Sequence, residues 1–399
     1  MSSSSTTLRN EYDAASVLVA VATGLAFGYA AVLLMLLFHR NWILTSGGIP
    51  MPSDFLVYRA AGIAAMHGTP ALVYDPHAFH LLQITLTKPF PNYFYWNYPP
   101  SFFFVAVFLA RLPYVPAFLL WVGTTGSACA ITIGRIALRR DAMVTALASP
   151  IFLLATYVGQ NGFLSAALMG AFLLSLRERP LIAGLLLALM TYKPQFGLLL
   201  PLALLAGGHW RAICWAIVAT AILTIASALA FGLDSYTAFL GSLAVASKGV
   251  LTLGGEGWAK IESMYSVARF LGAGDHAAWL LQIVISAVAG VGVLWLWHGD
   301  SAYELKAAGL VAATMLSIPY LHEYDFPIIL VAFSFLYRDR RFDRVDWLAV
   351  GAANLLMAAF LLQLAPLGPV VAAIPAAMVL GRVVSRPRAN RQAALGCAK

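Results

Sequence analysis

Charge is scarce in this sequence: Asp, Glu, Lys and Arg make up 11% of its 399 residues, against about 25% in soluble domains. With 61% hydrophobic residues and a mean hydropathy of +0.81, that scarcity excludes a water-soluble globular protein and leaves a polytopic membrane protein. Cysteine is nearly absent. Cys129, Cys214 and Cys397 fall in apolar segments or the tail, which gives no extracytoplasmic disulfide framework and reads as small apolar side chains. No Gly-rich phosphate cradle follows a strand, so a nucleotide-binding domain is not expected. Asp75, His77 and His80 lack a complete metal-ligand spacing, and neither a metal nor any other cofactor is expected. A small-residue cleavage site is also missing after the first apolar run, which is too long for a signal peptide.

What is present is a series of about a dozen apolar segments, reading as one all-α integral membrane domain over 1–399. The run 14–38 is long enough to span, since a crossing takes roughly 20 residues. The runs 142–158, 163–176, 181–190 and 196–206 are short, separated by Gly159–Gly162, Arg177–Pro180 and Tyr192–Gln195. Interrupted backbone at membrane depth is tolerated only where protein or a water-filled cavity surrounds it, so the breaks carrying Gln160, Asn161, Lys193 and Gln195 are expected to line a cavity opening to the outer face. Between 101 and 135 two helices are visible around Arg111–Pro116, although charge parity asks for an odd number of crossings. The net charge of +8 comes from Arg residues beside membrane segments (Arg135, Arg139, Arg140, Arg177, Arg179, Arg211, Arg338 to Arg344, Arg382) and from Arg386, Arg388 and Arg391 in a tail at 383–399. Scattered in this way they fit positive-inside topology better than a nucleic-acid surface. Both termini are then cytoplasmic, and the loops 39–100 and 233–269 lie outside the plasma (inner) membrane.

The first of those loops is too large for a mere connection. Its stretch Asp54 to Met66 reads as a short amphipathic helix, and Asp75-Pro76 opens a second one, Pro being tolerated in a first turn; both are expected on the membrane surface. The topology brings five polar groups to the outer side: Asp54 to Arg59, Tyr98, Gln160 with Asn161, Lys193 with Gln195, and His322 to Asp325. Ionisable residues at membrane depth are costly and are functional candidates by default.

In order and spacing, SDFLVYRAAG, the Gly68 to Asp75 pattern G-x-x-x-x-Y-D, NYPP, GQN, YKPQ and a late His resemble glycosyltransferase family 87, from Asp54 to about Asp325. The LHEYD around His322 departs from that family's usual local sequence. The resemblance implies the C-type membrane glycosyltransferase fold. It also implies inverting transfer of a hexose, mannose-like, from a polyprenyl-phosphate carrier to a hydroxyl on a lipid or glycan acceptor at the outer face. The donor would reach the site through the bilayer.

The residues allow such chemistry by themselves. An acceptor alcohol needs a group to take its proton, for which Asp54 is the candidate, against simple N-capping. Tyr58 lies one turn on, on the same face, and Tyr98, Gln160, Asn161 and Gln195 offer hydrogen bonds to a sugar, or else satisfy broken helix ends. Arg59 serves the substrate or anchors the loop to headgroups. A lipid-phosphate leaving group needs a cation; Lys193 is the candidate, against snorkelling to the interface. His322 would bind phosphate or sugar, and Glu323 and Asp325 cap the next helix. The expected partners are donor, acceptor and membrane lipids, with the chain as a monomer. A secondary transporter is the rival reading, because broken helices around a midplane site are its mark; the absent internal repeat and the large outer loop speak against it.

Overall fold

The computed structural model describes residues 2–90, 93–139 and 141–385, with side chains from residue 19 onward; Arg140, the tail arginines Arg386, Arg388 and Arg391, and Cys397 lie outside the described residues. Every extended regular element described is helical, and the pairings Leu44 with Pro50 and Ile261 with His322 are isolated bridges. The elements are α1 (Ser2–Phe38), α2 (Phe55–Met66), α3 (Pro76–Leu86), α4 (Phe103–Ala110), α5 (Tyr114–Ala137), α6 (Asp141–Leu147), α7 (Pro150–Val158), α8 (Gly162–Ser175) and α9 (Pro180–Met190). They continue as α10 (Leu200–Ala206), α11 (Trp210–Phe231), α12 (Leu233–Ser247), α13 (Met264–Phe270), α14 (Asp275–His298), α15 (Tyr303–Ser317), α16 (Ile329–Asp339), α17 (Arg344–Ala359) and α18 (Gly368–Ser385).

Among the described residues, six helices are long and apolar enough to cross a membrane: Val19–Phe38, Tyr114–Ala137, Trp210–Phe231, Asp275–His298, Arg344–Leu362 and Gly368–Ser385. The pair α6 and α7, bent by 62°, would make a seventh. The chain is therefore a polytopic helical membrane protein. The remaining apolar helices of the expected dozen run only 10–17 residues, too short to span singly at 1.5 Å per residue. Their ends are set where the sequence breaks: Pro180 and Pro194 each start a new turn, and the Arg111–Pro116 interruption separates α4 from α5.

The core is built from the interior helices. α15 and α16 pack on each other and are buried on nearly every face, with α5, α8, α14 and α18 around them. α2 departs from its expected amphipathic surface position. Phe55, Leu56, Val57, Tyr58, Ala60 and Ala61 are all inaccessible, because small residues on one side let the helix press against α4 while aromatic residues fill the other. α3 does lie at the surface, with only Phe79 and Gln83 buried. Its first turn is capped by Asp75, whose Oδ1 accepts the Ala78 N–H at 2.8 Å.

One end of α15 is basic. Arg177 lies over the Tyr303 ring (5.4 Å), Arg338 pairs with Glu304 (3.4 Å), and Arg139 donates to Tyr337 (3.1 Å). At the other end of this 15-residue helix, roughly 22 Å away at 1.5 Å per residue, the chain runs through Tyr320 to His322.

Candidate active site

At that second end a cavity of about 570 Å³ opens, within the range of small-molecule sites. Its wall comes from Asp54, from Tyr93 to Tyr98 of the first loop, from Gln160, from Lys193 and Gln195, from Gly255 to Lys260 of the second loop, and from Tyr320 to Tyr324. Pieces from six parts of the chain thus meet.

Each polar group is held by its neighbours. The Gln160 side-chain oxygen accepts the hydroxyls of Tyr98 (3.0 Å) and of the fully buried Tyr58, which leaves its NH₂ as the group it can offer to a ligand. Gly162, two residues on, sits so close to the next wall that a Cβ there would stand 1.7 Å from the Tyr324 carbonyl oxygen. This contact fixes the start of α8 against the 3₁₀ turn Glu323–Ile328. Asp325 in that turn is bound twice: Oδ1 takes the Lys193 ammonium and Oδ2 the His322 backbone N–H at 3.3 Å. Lys193 also lies 4.9 Å from the centre of the Tyr324 ring. His322 stacks on Tyr324 (5.0 Å, 7°), and its Nε2 meets Glu256 Oε2 at 2.8 Å.

The electrostatics follow from this packing. Asp54 keeps part of its surface open to the cavity, yet the surrounding protein raises its pKa to about 7, first through desolvation and then through the charge of Glu256. Burial works against the His322 cation, but the hydrogen bond and charge of Glu256 more than offset it, and the pKa is raised. Burial likewise opposes the Glu256 carboxylate, and His322 prevails there too, lowering its pKa. Asp54 stands at the start of α2 with helical backbone angles, and its side chain makes no capping bond.

The sequence model described as glycosyltransferase family 87 matches residues 96–319, more than half of the chain. The chain belongs to glycosyltransferase family 87. No curated protein and no solved structure matches it. The matched span starts after Asp54 and stops before His322, so it is the cavity, rather than the family match, that joins those two residues to NYPP, GQN and YKPQ. Membership makes the protein a membrane glycosyltransferase with sugar donor and acceptor substrates, and the transporter reading gives way.

In this family 87 glycosyltransferase, Asp54, Tyr98, Gln160, Lys193, Gln195 and His322 all line the cavity. Three other candidates do not. Tyr58 stands behind Gln160 and Tyr98, donating its hydroxyl to Gln160 and packing against the Tyr98 ring (6.1 Å). Asn161 is inaccessible. Arg59 donates to the carbonyls of Ala110 (2.7 Å) and Leu112 and so closes the C-terminal end of α4, where helical carbonyls lack partners. Asp75 is a helix cap and belongs to no metal-binding group; among the described residues no three ligating side chains come together for one. Sequence reasoning passed over Glu256, Lys260, Tyr320 and Tyr324. A signal existed for the first two, because LTLGGEGWAKIESMYS places charged residues in a Gly-rich segment of a chain that has few of them.

Proposed function

We propose that the protein transfers a hexose, with inversion, from a polyprenyl-phosphate carrier to an acceptor hydroxyl of a lipid or glycan at the outer face of the plasma membrane, with Asp54 as general base. Asp54 takes the proton of the acceptor hydroxyl as that oxygen bonds to the anomeric carbon from the face opposite the leaving group. The bond from that carbon to the phosphate oxygen breaks, and the lipid phosphate departs with the electron pair. Gln160, Tyr98 and Gln195 hold sugar hydroxyls, and His322, charged through Glu256, faces the donor. The observation that carries this reading is the Asp54 carboxylate itself. It is uncommitted to helix capping, faces the cavity, and has a pKa near 7, where a general base works best. The outward placement is supported by α15, which runs from the basic cluster to the cavity, because Arg and Lys favour the cytoplasmic side.

The test is transfer of label from a radiolabelled polyprenyl-phosphate hexose to an acceptor fraction by purified protein in lipid. Wild type is expected to move the label and Asp54→Asn to leave it on the carrier. Equal transfer by both would remove Asp54 from the reaction, and no transfer by either would remove the donor.

A further inference from the structure

Resting on the carrier-phosphate reading above, we propose that Lys260 is the cation that receives the donor phosphate, while Lys193 is a structural cation of the cavity wall. The cavity holds three cationic side chains, Lys193, Lys260 and His322, facing the carboxylates of Asp54, Glu256 and Glu323. Two of the three are already matched. Lys193 is 5% exposed, with its ammonium on Asp325; drawing it onto a ligand would strand a carboxylate that is 1% exposed, and removing one partner of a buried pair is costly. His322 is matched to Glu256 at 2.8 Å. Lys260 is half-buried and lines the cavity, and among the described residues its ammonium has neither a hydrogen bond nor an ion pair. An anionic headgroup entering among three carboxylates needs a cation whose charge is not already compensated, and Lys260 meets that need.

The loop is built to hold Lys260 by its backbone and leave its head free. Lys260 closes the one-turn helix Trp258–Lys260. The Trp258 indole donates to the Leu251 carbonyl at 2.8 Å, and Arg269 covers its ring at 4.5 Å. The next two residues are pinned to the opposite wall, Ile261 bridging His322 and the Glu262 N–H donating to Leu321 at 2.7 Å. The backbone under Lys260 is therefore fixed on both sides, while its flexible four-carbon stem lets the ammonium follow a ligand. A rival role is simple counter-charge, since Lys260 acts electrostatically on Asp54, Glu256 and Glu323.

Binding of farnesyl phosphate and of farnesol to the purified full-length protein separates these roles. Wild type is expected to prefer the phosphate. Lys260→Ala should weaken phosphate binding by about tenfold or more, as losing a charge-assisted hydrogen bond does, with farnesol binding unchanged, and Lys260→Arg should restore most of the loss. Lys193→Ala should lower thermal stability, and whatever molecules stay folded should keep the phosphate preference. Unchanged phosphate affinity in Lys260→Ala, with or without a shifted pH–rate profile, would overturn the assignment, as would an equal loss for phosphate and alcohol. If wild type itself shows no preference for the phosphate, the carrier reading falls, and this assignment with it.

Discussion

Asp54 is placed where a carboxylate is costly and useful at once: protein surrounds it, Glu256 repels its charge, and one side faces the cavity. Two outcomes follow from a pKa of about 7. Activity should rise with pH up to about 7 and level off, since only the carboxylate accepts a proton, and a flat pH–rate profile between 5 and 8 would contradict the assignment. Asp54→Asn should cut transfer by about 10² to 10⁴ without loss of fold. The linkage sign adds a check on stability. A carboxyl whose pKa is higher folded than unfolded binds more protons in the folded state between the two values, so it destabilises the fold as pH rises through that window. Asp54→Asn should therefore unfold at a higher temperature than wild type at pH 7 or above, and the gap should close toward pH 4. A variant less stable than wild type at pH 8 would show that the carboxylate has a supporting role.

The elements meet at the cavity through two kinds of joint. One is the backbone contact between the start of α8 and the 3₁₀ turn that carries Tyr324 and Asp325. Gly162→Ala puts a methyl group 1.7 Å from a carbonyl oxygen and should lower the yield of folded protein and the melting temperature sharply, as overpacking costs about 1 to 3 kcal/mol or more. Gly197→Ala, with nothing within 4 Å, should melt as wild type does. The other joint is the Glu256 to His322 pair, which ties the tip of the second loop across the cavity. His322 has a raised pKa, so this contribution is fully present below its unfolded value of about 6.5 and is lost as pH rises through the folded one. Proteolysis of the segment 253–257 should speed up over that rise in wild type. In Glu256→Gln it should be fast at pH 6 already; equal protection in both at pH 6 would mean that the loop is held by other contacts.

At the scale of the whole molecule, the cavity and the basic cluster occupy opposite ends of α15. If Arg and Lys mark the cytoplasmic side, a cysteine at the exposed Thr85 should react with a membrane-impermeant thiol reagent in intact cells lacking native cysteines. One at the exposed Asp300 should react only after permeabilisation. The reverse pattern would place the cavity on the cytoplasmic side and exclude the proposed outer-face reaction.

Much of this was legible from one-dimensional signals. Low charge and long apolar runs dictate a helical membrane protein, since backbone polar groups in lipid must be satisfied within their own segment. Gly159, Pro180 and Pro194 mark helix ends because each interrupts or restarts the hydrogen-bond ladder. The grouping of Asp54, Tyr98, Gln160, Lys193, Gln195 and His322 could be anticipated from polar residues at the breaks between apolar runs, although the number of crossings could not. Only the tertiary structure decided what each side chain does with its neighbours. Whether Arg59 faces a substrate or the end of α4, whether α2 lies on the surface or inside, and whether Lys193 or Lys260 has charge to spare all depend on contacts between residues far apart in the chain. The Lys193 to Asp325 pair spans 132 positions, and no local pattern encodes which of two lysines meets a carboxylate first.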